Sequence, residues 1–249
     1  MSEEVIKRRW WADALMIGGV IAISAAVLGG IGTRLGIWSF QGGFILLQVS
    51  AVLAVVVAFL GIIALIYGII KGKTAERSAL AIGIVLSSVV LAQLGLQFSK
   101  VQAVPPIHNI STDTQDPPVF DQIVAIREAV QSNPLAYNTA ELAAVQQAAY
   151  PDVKTLVIQL EANAALAKAY QVLSDLGLDI VSTNPSLGIV EGTETTFWFG
   201  FKDDVVVRVR EQTDGIGSII DVRSVSRVGV SDLGVNAARI EKILAAMQN

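Results

Sequence analysis

Three stretches without a charged residue lie within the first hundred positions: Ala14–Gly32, Leu35–Ile70 and Ser78–Ser99. Crossing about 30 Å of hydrocarbon takes about 20 apolar residues in a helix, the conformation that satisfies every backbone hydrogen bond within the segment. The first and third stretches fit one span each. The second is too long for one span at about 1.5 Å per residue. Its opening, Leu35–Gly43, holds Trp38, Phe40 and three glycines. It reads as an interfacial loop with an aromatic anchor, leaving Phe44–Ile70 as the helix. The expectation is a membrane domain over 1–100 with spans about 12–32, 44–70 and 78–99.

Lys7, Arg8 and Arg9 before the first span resemble the basic region of a signal peptide, but no small-x-small cleavage site follows. The chain has no cysteine, so it lacks the residue a lipoprotein needs. A retained anchor is expected. Only Arg34 separates spans one and two, whereas Lys71, Lys73 and Arg77 separate two and three. Basic flanks stay in the cytoplasm. The expected placement is therefore multi-pass in the inner (cytoplasmic) membrane, N-terminus cytoplasmic and C-terminal domain periplasmic.

Small residues recur every four positions: Gly18, Ala22, Ala26 and Gly30; Ser50, Ala54 and Ala58; Ala79, Gly83 and Ser87. Such spacing lets helices approach closely, either within one bundle, the favoured reading, or at an interface with a membrane-protein partner or a second copy. Polar residues within the spans are few; Gln48, Gln93 and Gln97 lie near the outer leaflet in this orientation and could hydrogen-bond between helices. Asp13 sits at the inner edge beside Trp10 and Trp11. No ionisable residue lies in mid-membrane, where proton relays and ion pathways need one, so the spans read as an anchor in the lipid bilayer rather than a transporter.

Mean hydropathy of +0.57 and a net charge of −4 hide a split at Lys100. The first part carries +4, the remainder −8, and all seven prolines lie in the remainder. Residues 101–118, with two Pro-Pro pairs, read as an extended tether. Residues 119–249 read as an α+β domain: an antiparallel sheet of about five strands with helices packed on one face. Helices are expected over Val119–Gln131, Thr139–Ala149, Ala162–Leu176 and Asp232–Met247, the last with Ser231 as its N-cap. Strands are expected over Thr155–Gln159, Asp179–Thr183, Gly188–Thr193, Thr196–Phe201, Asp204–Arg210 and Ser218–Ser226, with turns at Asn184-Pro185 and Asp214-Gly215.

Alternation in the last two strands sorts their side chains. Val205, Val207 and Val209 share one face with Ile220 and Val222, together with Ser224 and Ser226. Arg208, Arg210, Asp221, Arg223 and Arg227 share the other. Asp203, Asp204, Asp232, Asp113 and Asp116 are within reach of those arginines. One reading is an Arg–carboxylate network that pins the tether and the last helix to the sheet. The alternative is an anion site for a lipid head group, a phosphate or a cell-wall carboxylate, with the turn after Arg227 adding backbone N–H groups. An open cleft would favour ligand binding or an envelope lipid- or glycan-directed enzyme. Closure by the tether would favour the network and an accessory subunit of a membrane complex.

His108 is the one histidine and sits in the tether, so the sequence offers neither a multi-histidine nor a cysteine metal site, and no cofactor motif of the P-loop or G-x-G-x-x-G kind. An acidic domain does not suit nucleic acid. Phe197, Trp198, Phe199 and Phe201 read as strand core rather than a stacking platform.

Four blocks in order resemble the family called domain of unknown function 1499: PIHNISTDTQDPPVF (106–120), QQAAYPD (146–152), FGFKDDVVVRV (199–209) and DVRSVSRVGVSDLGVNAAR (221–239). That resemblance implies a bacterial, often membrane-anchored protein and no assigned chemistry. It raises the standing of Asp113, Asp116, Asp203, Asp204, Arg208, Asp221, Arg223, Arg227, Asp232, Asn236 and Arg239, as ligand-binding or structural residues. The functional expectation is a binding or scaffold domain of the cell envelope, leaning away from enzyme.

Overall fold

The computed structural model describes residues 9–213 and 216–249. Lys7, Arg8 and the Asp214-Gly215 turn lie outside the described residues. The chain divides into two compact units: 1–100 with 197–200, and 101–196 with 201–249.

The first unit holds three helices long and apolar enough to cross a membrane: α1 (Trp10–Arg34), α2 (Phe40–Ile70) and α3 (Arg77–Ala103). α2 begins four residues before the expected Phe44, because the Ser39 side chain accepts from the Gly42 N–H and caps it. The small residues do their work inside this bundle. Ala22 and Ala54 pack with Val90, and Ala12 packs with Ala79 and Leu80. A side chain at Gly19 would strike the Gly83 backbone, and one at Gly29 would strike the Gly43 carbonyl. Ser50 Oγ donates to the Ala22 carbonyl at 2.6 Å.

The second unit is a six-stranded antiparallel sheet with helices: β1 (Asn109–Ser111), α4 (Gln122–Glu128), α5 (Thr139–Ala149), β2 (Leu156–Ile158), α6 (Ala162–Asp175), β3 (Asp179–Asn184), β4 (Ile189–Thr195), β5 (Lys202–Glu211), β6 (Ser218–Ser226) and α7 (Val235–Gln248). The strand order is β1-β6-β5-β4-β3, and β2 shares the β6 edge with β1. β1 lies within the stretch read as a tether.

The two long helices cover one face as expected. Val205, Val207, Val209, Ile220 and Val222 are buried there with Leu173 of α6 and Ile240 and Ile243 of α7. The seven-residue α4 lies over the other face, where Ile123 joins Phe120, Ile189, Val206 and Val225.

Two local expectations fail. Thr196–Phe201 is not a strand of aromatic core but the connection between β4 and β5. Gly200 there has φ +69, and Phe197 is 83% exposed. Ser231 does not cap α7. Leu233 and Gly234 both turn left-handed (φ 56 and 81), so the helix starts at Val235 with Gly234 as N-cap. The Asp232 carboxylate takes over the capping, accepting from the Gly234 and Asn236 N–H groups at 2.9 and 2.8 Å.

Candidate functional site

The register of β5 on β6 sets Asp204 opposite Val225, Val206 opposite Arg223 and Arg208 opposite Asp221. The pleat therefore puts Asp204, Arg208, Arg210, Asp221, Arg223 and Arg227 over one face, as the alternation requires. The other chosen residues divide. Asp113 and Asp116 reach this face from the loop after β1. Asp203, Asn236 and Arg239 form a separate cluster on the α7 face, and Asp232 caps α7.

The arginine face resolves into three arrangements. In the first, Asp204 is fully buried between two guanidinium groups. Arg227 reaches it twice at 2.8 Å, Arg127 of α4 donates to it at 2.7 Å, and Thr193 Oγ1 donates at 2.7 Å. Burial alone would raise this carboxyl's pKa, but the hydrogen bonds from Arg227, Thr193 and Arg127 outweigh it and hold the pKa below the ordinary value. Burial in turn lowers Arg127, with Asp204 opposing.

In the second, Asp221 is fully buried and accepts from Arg210 at 2.6 Å, Arg208 at 3.1 Å, Thr155 at 2.6 Å and Thr112 at 3.1 Å. Asp116 accepts from Arg208 through its carboxylate at 3.0 Å and its carbonyl at 2.8 Å. Asp113 closes the set at 3.4 Å from Arg208 and 3.5 Å from Arg210. Asp113 also accepts from the Gln115 and Asp116 N–H groups, so the turn that carries both acids folds around one of them.

In the third, Arg223 is 4% exposed and has no carboxylate within ion-pair distance among the described residues. It donates to the Pro118 carbonyl at 3.0 Å, to Asn109 Oδ1 at 3.1 Å and to the Leu135 carbonyl. The Phe120 and Tyr137 rings flank it at 5.5 and 5.8 Å. Burial lowers its pKa to about 10, and burial raises the neighbouring Tyr137 hydroxyl to about 12. This cation is therefore a clip, joining two passages of the loop chain to β6.

On the α7 face, Arg239 is 5% exposed and donates to Asp203 at 2.7 Å, Ser224 Oγ at 2.9 Å, Glu194 and Asn236. Burial would lower its pKa, but Asp203 and Glu194 outweigh that and raise it. Asn236 is fully buried and donates to the His108 carbonyl and Ser226 Oγ. Burial raises the pKa of Asp232, against the two N–H groups it accepts from.

Several residues the sequence reading did not single out complete these sets. Glu191, fully buried on β4, accepts from the Asp121 and Gln122 N–H groups and from Ser182, so it caps α4 from across the sheet. Gln146 of α5 accepts from the Ser111 N–H at 3.0 Å and donates to the Ser111 carbonyl at 2.7 Å, standing in for a neighbouring strand. The one available signal was position: Gln146 opens the QQAAYPD block.

Chemically, the arrangement leaves little undone. Each buried acid faces donors and each buried guanidinium faces acceptors, although the Nε atoms of Arg127, Arg208 and Arg210 have no partner among the described residues. The 109–137 segment overlies the buried arginines, with Arg210 and Asp116 left partly exposed at its edge. Among the described residues no group of three or more His, Cys, Asp or Glu side chains is placed to hold a metal ion.

Residues 109–247 match the model of a family described as Protein of unknown function (DUF1499). No curated protein matches the chain. The match covers more than half of the chain and spans the sheet, its helices and both charged faces. The chain belongs to this family.

Proposed function

We propose that this family member is a non-catalytic scaffold module of the bacterial cell envelope, anchored by three spans and acting as an accessory subunit of a membrane complex. The observation that carries the proposal is closure of the arginine face around Asp204 and Arg223, the face being open only at its edge, at Arg210 and Asp116. A site for an anionic lipid, glycan or phosphate needs donors left free for it. Here Arg223 donates to three fixed protein acceptors, and Asp204 is enclosed by Arg127, Arg227 and Thr193. In this reading Asp113, Asp116, Asp203, Asp204, Arg208, Asp221, Arg223, Arg227, Asp232, Asn236 and Arg239 shape a surface rather than contact a substrate.

The orientation rests on charge. Arg34, the last residue of α1, is the one Lys or Arg at the turn into α2, while Lys71 and Lys73 follow α2 and Arg77 opens α3. The N-terminus is then cytoplasmic and the sheet domain extracytoplasmic. Alkaline phosphatase fused after Asn249 should be active, and an inactive fusion beside a fluorescent cytoplasmic one overturns the orientation.

The scaffold itself is tested by Arg223→Ala in the full chain, with native purification into nanodiscs and mass spectrometry of what co-purifies. The expected result is a domain that melts lower and a protein partner lost in proportion to unfolding. An unchanged melting temperature with a bound lipid or glycan lost would make the face a ligand site.

A further inference from the structure

Gln93 lies on the outside of the bundle. It follows Val85 and Val89 and precedes Leu96 along one outward stripe of α3. Those three residues are 60%, 52% and 62% exposed. With Ile82, 46% exposed, the spacing is three, four, four, three, which keeps all five residues on one face of the helix. Gln93 makes no hydrogen bond to any described residue.

Depth makes this unusual. Gly61 of α2 sits level with Ile84 of α3, where a side chain on the glycine would meet the isoleucine. Counting from Arg77 at about 1.5 Å per residue puts Gln93 about 24 Å up the span. The same count through the Gly61–Ile84 level puts Gln48, also exposed, at about 30 Å. With a hydrocarbon core of about 30 Å, Gln48 reaches head groups and water, whereas Gln93 stays about a helical turn inside. A carboxamide with no partner in hydrocarbon is strongly disfavoured. Lipid tails offer it nothing, so whatever covers this stripe carries a donor and an acceptor at that depth.

We infer that α3 packs through the Ile82–Val85–Val89–Gln93–Leu96 stripe against α3 of a second copy of this chain, with the two Gln93 carboxamides hydrogen-bonded to each other. A carboxamide carries both a donor and an acceptor, so it is its own complement. Two copies inserted with the same orientation are related by an axis along the membrane normal, which sets the two glutamines at one depth. A single polar residue in an apolar seam also fixes register and partner number. The inference deepens the scaffold reading by naming the partner, and it rests on the helices spanning the membrane.

The test uses the full chain with a fluorescent C-terminal tag in phosphatidylethanolamine/phosphatidylglycerol liposomes, counting subunits by photobleaching over a range of protein densities. Two-step bleaching is expected. Gln93→Leu should weaken association about 3- to 30-fold, the range for interhelical hydrogen bonds, and Gln48→Leu should leave it unchanged. The chain contains no cysteine, so single substitutions report cleanly. Val89→Cys and Leu96→Cys should cross-link copies on oxidation, and Ile21→Cys on the exposed side of α1 should not. One-step bleaching at every density, an unchanged Gln93→Leu, equal cross-linking from Ile21→Cys, or a different protein held in fixed ratio at α3 overturns the inference. Release of the chain from membranes by alkaline carbonate overturns the membrane reading and this inference with it, whereas a retained but monomeric chain overturns this inference alone.

Discussion

On one side of β5 and β6, Val205, Val207, Ile220 and Val222 meet Leu173, Ile240 and Ile243. On the other side the same two strands present Asp204, Arg208, Asp221 and Arg223 to a segment that is mostly loop. The helical side is closed mostly by shape, with one polar cluster around Arg239 and Asn236, because α6 and α7 satisfy their own backbone groups before they dock. The loop side cannot be closed that way. The Pro118, Leu135, Asn133 and Ser226 carbonyls have to be paired one at a time, and Arg127 and Arg223 supply the donors. A guanidinium carries five N–H groups, so one side chain can serve several carbonyls. Arginine here does the work that a strand or helix does elsewhere.

The comparison predicts a hierarchy of damage. The largest loss should follow Asp204→Asn, which leaves Arg127 and Arg227 buried without their anion and should destabilise the domain by about 3–5 kcal/mol at neutral pH. Because the Asp204 pKa is lowered in the fold, its contribution is present above the unfolded value of about 3.9 and is lost as pH falls through the folded value. The gap between wild type and Asp204→Asn should therefore shrink below about pH 4. Hydrogen exchange of the β6 amides in denaturant, at neutral and acid pH, measures this. A gap below about 1 kcal/mol at neutral pH would show that the polar face holds no more than an exposed ion pair would.

Next should come Val207→Ala on the apolar face, at about 1.5–2.5 kcal/mol and with no pH dependence, read by the same exchange measurement. A pH-dependent loss there would mean that the two faces are coupled through the sheet. The smallest effect should come from Asp232→Asn, about 1 kcal/mol or less, since losing one cap acceptor is offset by relief of a desolvated charge. Its sign with pH runs opposite to that of Asp204. The Asp232 pKa is raised in the fold, so its contribution is complete below about 3.9 and fades as pH rises through the folded value. The wild-type advantage should be greater in acid than at neutral pH. Parallel pH profiles for the two aspartate variants would refute the distinction drawn between them.

What was legible in the sequence was whatever repeats locally. Uncharged length marked the three helices, and period-two alternation sorted β5 and β6 correctly, down to Ser224 and Ser226 joining the helical face. What was not legible is set by distant partners. Glu191 looks like any strand acid until Asp121 and Gln122 bring the start of α4 to it. Gln146 looks like a surface residue of an alanine-rich helix until Ser111 lies beside it. Arg127 sits on a helix of seven residues that is held from outside itself. The aromatic run Phe197–Phe201 misled for the opposite reason. Its residues favour strands, but Gly200 takes a left-handed conformation and turns the chain between two strands.

The pairing of β1 with β6 also sets an order of events during synthesis. Asn109 lies opposite Val225, so the first strand of the domain to be made waits for the last. Until residue 227 has been made, Asp221, Arg223 and Arg227 are absent, and the 109–137 segment has only its β4 and β5 partners, Glu191, Asp204, Arg208 and Arg210, to close upon. Loop closures of this length slow folding and leave long-lived, partly exposed chains. A truncation a few residues short of β6 would then remove the partner of β1 and both Asp221 and Arg223 at once, so it would loosen the first-made strand of the domain as well as the last.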